Sequence, residues 1–217
     1  MKIKISLYLF IFIIHSSVYA KTITNPTLEQ FYDRTQSMQA DFRQTITDSK
    51  GKVIEVSTGE LIFSRPDKFI FEYMSPAEQK YISNSKTLWI YDVELEQVSI
   101  KSLDEGLGDS PALLLSSNSN VYQYYDVNNV KLMPLSQAQQ QSLQWVQLKA
   151  KKEDTTFERV LLGFDEHKLK EMKMYDNFGQ LTELTFSNIQ LNKSFSNRQF
   201  NFVTPEGVDV IGTVDAQ

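Results

Sequence analysis

From Met38 onward, apolar and polar residues alternate with a period of two, in runs joined by links too short for a crossover; this decides which kind of sheet the chain can build. Met38, Ala40, Phe42, Gln44 and Ile46 fall on one face of the first run and Gln39, Asp41, Arg43, Thr45 and Thr47 on the other, the pattern of a half-buried strand. Asp48-Ser49-Lys50-Gly51-Lys52 has turn chemistry, and Val53 to Arg65 resumes as a strand with Leu61, Phe63 and Arg65 on one side. Pro66-Asp67 turns the chain into Phe69, Phe71 and Tyr73, alternating with Lys68, Ile70 and Glu72 until Met74-Ser75-Pro76 breaks the run. Gln79 to Ile82, Thr87 to Asp92 and Gln97 to Ser102 follow, separated only by Ser83-Asn84-Ser85-Lys86 and by Val93 to Glu96. Parallel neighbours need connections of about a dozen residues or more, so these links predict an antiparallel meander. The rhythm returns in Trp145 to Lys151, Phe157 to Phe164, Leu169 to Tyr175 and Leu181 to Leu191, with turns at Glu153-Asp154, Asp165-Glu166 and Asp176-Asn177-Phe178-Gly179.

Three stretches depart from this rhythm. Leu28, Phe31, Tyr32, Thr35 and Met38 recur at spacings of three and four behind Asn25 and Pro26, a cap and first-turn pair, which predicts an amphipathic helix over Pro26 to Met38. Gly106, Gly108 and Asp109 lead to Ser110-Pro111 and then Ala112-Leu113-Leu114-Leu115, one or two helical turns too short to stand alone, so their leucines must pack on the sheet. The Gln-rich stretch from Ser136 to Gln144 reads as an exposed loop or insertion. The expected architecture is one mainly β domain over residues 21–217, about ten to eleven strands with short helices, without internal repeat or linker.

Residues 1–20 are excluded from that domain. Lys2 and Lys4 precede an apolar run from Ile5 to Ile14 interrupted only by Ser6, and Val18-Tyr19-Ala20 suits a cleavage site, so the segment reads as a cleaved secretory signal peptide rather than a membrane anchor. Its loss lowers Lys+Arg from 22 to 20 against 27 Asp+Glu and moves the net charge from -5 to -7. That balance, with no basic cluster, argues against nucleic acid. Cysteine is absent, which removes disulfides, thiolate metal sites, a thiol nucleophile and any lipid-modified cysteine tether. The single histidine after the signal, His167, falls in a turn beside Asp165 and Glu166 and reads as solvated; no phosphate loop, zinc motif or nucleophile elbow accompanies it. Neither an enzyme nor a cofactor site is expected.

Two features bear on function. Phe42, Phe63, Phe69, Phe71, Trp89 and Tyr91 are placed by the meander on the concave faces of successive strands, where they either pack a solid core or line a hollow in an incompletely closed barrel. Arg65 ends a strand on the side of Leu61 and Phe63, where a charge is costly. Its head either reaches water or an acid such as Asp67 or Glu72, or binds the orphan carbonyls ending a lid helix.

Several stretches together resemble one family. These are Met38-Gln39-Ala40-Asp41-Phe42-Arg43-Gln44, Gly59-Glu60-Leu61 through Arg65-Pro66-Asp67-Lys68-Phe69, and Lys86-Thr87-Leu88-Trp89-Ile90-Tyr91-Asp92. Ser110-Pro111, Asp176-Asn177-Phe178-Gly179-Gln180 with Asn188, and the ending Phe200-Asn201-Phe202-Val203-Thr204-Pro205-Glu206-Gly207-Val208-Asp209-Val210 complete the set. In this order, behind a signal peptide, they resemble the LolA family of periplasmic carriers of outer-membrane lipoproteins. The resemblance implies an unclosed antiparallel β-barrel with helices as a lid over an apolar cavity that receives lipoprotein acyl chains. It matches Arg65 to the gating residue that holds the lid by backbone hydrogen bonds, and Phe69 and Phe71 to aromatic positions at the cavity and mouth; joined to the alternation and the short helix, the expected lining is Phe42, Leu61, Phe63, Phe69, Phe71, Trp89 and Tyr91 and the expected lid Leu113, Leu114 and Leu115. It further implies a monomer in the periplasm of a Gram-negative bacterium, loaded by the inner-membrane LolCDE complex and unloaded onto the receptor LolB. LolB itself is acylated on a cysteine that this chain lacks. Ala112 stands where some members carry a bulky aromatic, and the Gln-rich stretch is an insertion relative to the family. A lipid-holding or lipid-sensing periplasmic protein of the same fold is the alternative. Burying one long acyl chain is worth on the order of 10 kcal/mol at about 0.8 kcal/mol per methylene, so a shuttle crossing water must hide it.

Overall fold

In the computed structural model, residues 24–103, 111–117, 121–132, 143–152 and 155–212 are described. The expected signal peptide, the Ser110 cap, the Glu153-Asp154 turn and most of the Gln-rich stretch lie outside them. The first element is the helix α1, Pro26–Arg34: the Asn25 side chain accepts from the amides of Thr27 (3.1 Å) and Leu28 (3.2 Å), and Pro26 needs no amide partner there. Leu28, Phe31 and Tyr32 are its buried face. The helix stops before the predicted Met38, because Ser37 already pairs in a strand and Thr35 caps the end through its amide to the Phe31 carbonyl.

The strands β1 (Ser37–Thr47), β2 (Val53–Ser64), β3 (Lys68–Ser75), β4 (Gln79–Asn84), β5 (Thr87–Asp92) and β6 (Gln97–Ser102) form the predicted meander, each antiparallel to the next. Two short helices follow, α2 (Pro111–Ser116) and α3 (Val121–Tyr124). A second meander runs through β7 (Tyr125–Val130), β8 (Gln144–Ala150), β9 (Phe157–Asp165), β10 (Lys168–Asp176) and β11 (Leu181–Leu191). β11 returns to pair with β1, so β1 is the seam between the two halves. The described residues make one twelve-stranded sheet in the order β12-β6-β5-β4-β3-β2-β1-β11-β10-β9-β8-β7, with its two outermost strands not paired to each other. This is the unclosed barrel. The two strands not expected from the sequence are its edges: β7, where only Tyr125 and Val127 alternate with Asp126 and Asn128 before Asn129 breaks the pattern, and β12 (Asp209–Ile211), which lies parallel to β6.

Register assigns the faces. Met38 stands opposite Phe63, which stands opposite Phe69; Ala40, Leu61 and Phe71 make the next row. In the row after that, Phe42 faces Gly59 and Gly59 faces Tyr73. A Cβ on Gly59 would lie 1.9 Å from the Glu72 carbonyl oxygen and 2.7 Å from the Phe42 ring, so only glycine lets that ring lie across β2. There it stacks on Phe71, with centroids 4.4 Å apart and planes at 6°. Across the seam the same inner face continues as Phe186, Leu184, Met172, Leu162 and Val146. Helices α1 and α2 pack on this face, and their buried residues join its core.

The outer face carries a smaller second layer. After β11 the chain crosses β3 and β4 as a 3₁₀ turn, Asn197–Phe200, with Phe200 buried. Phe202 then rests 5.5 Å from the Tyr91 ring before β12 adds to the edge.

Candidate functional site

Arg65 lies just beyond the end of β2, where the sheet meets both helix ends. Its Nε donates to the Thr35 carbonyl at the close of α1 (2.8 Å), and Nη1 donates to the Ser117 carbonyl just past α2. These carbonyls have no partner within their own helices, so one guanidinium ties both ends to the strand. A backbone bond reinforces the junction, with the Asp67 amide donating to the Ser116 carbonyl at 3.0 Å. The rings of Tyr32, Phe31 and Phe63 surround the guanidinium carbon at 4.5, 5.0 and 5.1 Å. Burial lowers its pKa to about 10, with the neighbouring Tyr32 and Asp67 opposing, so the cation persists at neutral pH. Burial also pushes the Tyr32 hydroxyl up to about 12 against the pull of the Arg65 charge. Among the described residues Arg65 Nη2 is buried without a hydrogen-bond partner, and Arg65 also borders an open polar depression of about 370 Å³ with Gln36 and Asn192. The guanidinium is therefore bonded to both helix ends, with its side chain at the edge of that depression.

A cavity of about 410 Å³ opens beside this junction, within the roughly 300–1,000 Å³ typical of small-molecule pockets. On its helical side are Leu113 and Leu114 of α2 with Val121 of α3, and on its sheet side Val160, Met172 and Met174 of β9 and β10. Phe157 and Tyr125 complete the apolar wall. Methionine suits such a wall because its unbranched thioether adapts to irregular shapes.

The residues expected to line the cavity lie elsewhere. Phe42, Leu61, Phe63, Phe69 and Phe71 are buried on the inner face, yet none borders the hollow; with α2 over β2 and β3 they form solid core. Trp89 and Tyr91 require a larger correction. Register sets Trp89 opposite Ile82 and Ile100, and Tyr91 opposite Lys80 and Val98, on the outer face, while Leu88 and Ile90 point inward. Both faces of β5 carry bulky apolar residues, so alternation alone does not say which is inside. Of the leucines expected to form a lid, Leu113 and Leu114 border the cavity, whereas Leu115 is buried and absent from its wall. The sheet-side residues Val160, Met172 and Met174 are missing from the expected lining, although their alternation in β9 and β10 is visible in the sequence.

His167 lies in the two-residue link between β9 and β10. Glu72, one of the acids considered for Arg65, pairs with Lys80 at 2.7 Å. No described helix is long and apolar enough to cross a membrane.

Comparison with known proteins identifies the group to which this architecture is similar. Residues 33–203 match the sequence profile of the family described as outer membrane lipoprotein carrier protein LolA. An outer-membrane lipoprotein carrier protein of Nitrosospira multiformis is 35% identical over 209 residues, spanning 96% of this chain and 97% of that one. One from Chromobacterium violaceum is 39% identical over 184 residues, 85% of each chain. Among solved structures, an uncharacterized conserved protein from Thermus thermophilus superposes with a TM-score of 0.55 at 12% identity, covering 85% of this chain and 96% of that one, a likeness of fold alone.

Proposed function

The chain belongs to the LolA family of outer-membrane lipoprotein carriers, and from that membership we propose that it shelters lipoprotein acyl chains in the cavity between α2 and the β9–β10 floor while they cross the periplasm. It is a carrier, not an enzyme. The observation that carries the reading is the apolar hollow roofed by a helix whose end is tied down by Arg65.

The physics of a hand-off fits that arrangement. An acyl chain gains about 0.8 kcal/mol per buried methylene, enough to hold it through water, but a sealed site would release it too slowly for transport. Opening the lid of a half-filled site breaks a few hydrogen bonds to Thr35 and Ser117, contacts that water can replace. The closed lid then competes with cargo and lowers affinity enough for transfer to run downhill. Phe42, Leu61, Phe63, Phe69 and Phe71 serve as the rigid wall against which α2 seats, and Leu113 and Leu114 as the moving roof. The remaining steps follow the family: residues 1–20 direct export and are removed, and the monomeric carrier is loaded from the inner-membrane LolCDE complex and unloaded onto LolB in a Gram-negative envelope.

The test is to incubate the purified chain with a triacylated lipoprotein in detergent, remove the detergent, and follow the complex by gel filtration. A soluble one-to-one complex that passes its cargo to outer-membrane vesicles is expected. Cargo that aggregates despite excess carrier would refute the reading.

A further inference from the structure

The polar residues on the cavity wall fall at two places. Asp67 and Ser117 sit at the Arg65 junction. Lys151, Lys152, Gln123 and Thr155 gather where the β8–β9 link meets α3, at the opposite end of the strands. Two adjacent lysines at the mouth of a cavity with an apolar roof and floor are conspicuous in a chain of net charge -5, because the overall field does not draw anions there and any attraction must be local.

Lys151 is held in place. Its amide donates to the Tyr124 carbonyl at 3.0 Å, and its Nζ donates to the Tyr122 carbonyl at 2.6 Å. Among the described residues this is the one hydrogen bond of its ammonium, the Asp126 carboxylate forms a long ion pair with it at 3.9 Å, and the side chain is 42% exposed. Lys152 is exposed beside it. An ammonium fixed at the rim favours an anionic head over a neutral one, through charge-assisted hydrogen bonds.

We propose that this basic mouth makes the cavity a site for single-chain amphiphiles with an anionic head, the chain lying between Leu114 and Met174 and the head resting on Lys151 and Lys152. The head is the carboxylate of a free fatty acid or the phosphate of a lysophospholipid, which share the chemistry of a negative group on one acyl tail. The inference rests on the reading of the hollow as an acyl cavity and adds a head-group preference that a diacylglyceryl group, having no charge, does not exploit.

The experiment measures the affinity of oleate, oleoyl lysophosphatidate and methyl oleate, by displacement of a fluorescent fatty-acyl probe. The wild-type chain is expected to bind the two anions roughly tenfold more tightly than the ester, a gap that narrows as salt is raised. Replacing both lysines (Lys151→Met with Lys152→Met) brings the anions to the level of the ester and leaves the ester unchanged. Lys152→Met alone, which spares the Tyr122 contact, gives an intermediate loss and covers the case in which the double variant does not fold. Preference for only one of the two anions identifies the source of the head and still supports the proposal. Equal binding of anions and ester by the wild type, or a preference that survives both substitutions, overturns it. If not even the ester binds, the acyl-cavity reading fails and this inference with it.

Discussion

The two halves of the inner face are built from different side chains and behave as different materials. On the β1–β4 side, Phe42, Phe63, Phe69 and Phe71 interlock, and Tyr73 stands edge-on to Phe42 and Phe71 at 5.3 and 5.1 Å. On the β8–β10 side, Val160, Met172 and Met174 form a smoother, softer floor, and the 410 Å³ hollow lies above it. Rings that pack in fixed geometries fill a curled sheet and leave no room for a ligand. Unbranched and small aliphatic chains leave a gap that an acyl tail can fill. On the proposed reading the aromatic half is the anvil on which the lid closes, and the methionine half the container.

That contrast is broken most severely by emptying the anvil. Phe71→Ala removes a ring stacked within 4.4 Å of Phe42 and is expected to cost about 3–5 kcal/mol in urea unfolding, while the folded fraction still binds acyl probe. A comparable loss of probe affinity in that fraction would assign the ligand to the aromatic half instead.

The junction between the halves comes next. Arg65→Leu strips the donors from the Thr35 and Ser117 carbonyls and is expected to cost about 1–3 kcal/mol of stability. Acyl binding should survive, because the cavity wall is untouched, but transfer from the loaded carrier to receptor-bearing vesicles should slow. Transfer at the wild-type rate would remove Arg65 from the gate.

Filling the container should do the reverse of emptying the anvil. Leu114 is half-buried on the lid and borders the hollow, so Leu114→Trp is expected to weaken acyl-probe binding about tenfold, roughly 1.4 kcal/mol, while the unfolding midpoint barely moves. Unchanged binding would mean that the chains lie elsewhere.

The smallest effect is electrostatic. The Tyr32 hydroxyl is raised to about 12 by burial, whereas an unfolded tyrosine ionises near 10. A raised folded value means stability that is fully present below about pH 10 and is lost as pH climbs toward 12. Wild type should therefore fall faster than Tyr32→Phe over that interval in circular-dichroism melts, and parallel curves would show that the hydroxyl is not desolvated at the latch.

The same contrast explains what could be read from the sequence. The two meanders were legible because short links forbid crossovers, and the faces of β1 to β3 were legible because Phe and Leu repeat on one side only. The face of β5 was not, since Trp89 and Tyr91 are as bulky as Leu88 and Ile90, and their cover, the segment carrying Phe200 and Phe202, is distant in sequence. The Arg65 contact was foreseeable as a charge in the wrong place. The position of the cavity was not, because a void depends on how α2 and α3 stand off from Val160, Met172 and Met174 and not on any residue pattern. β7 escaped because Asp126, Asn128 and Asn129 disfavour strands except at an edge.

The most direct measurement is a crystal structure of the chain bound to a triacylated peptide. Acyl density between Leu113 and Leu114 above and Val160 and Met174 below is expected, with the Phe42–Phe71 stack unmoved. Chains threaded among the phenylalanines of β1 to β3, or lying on the outer face against Trp89 and Tyr91, would contradict the division of the molecule into anvil and container.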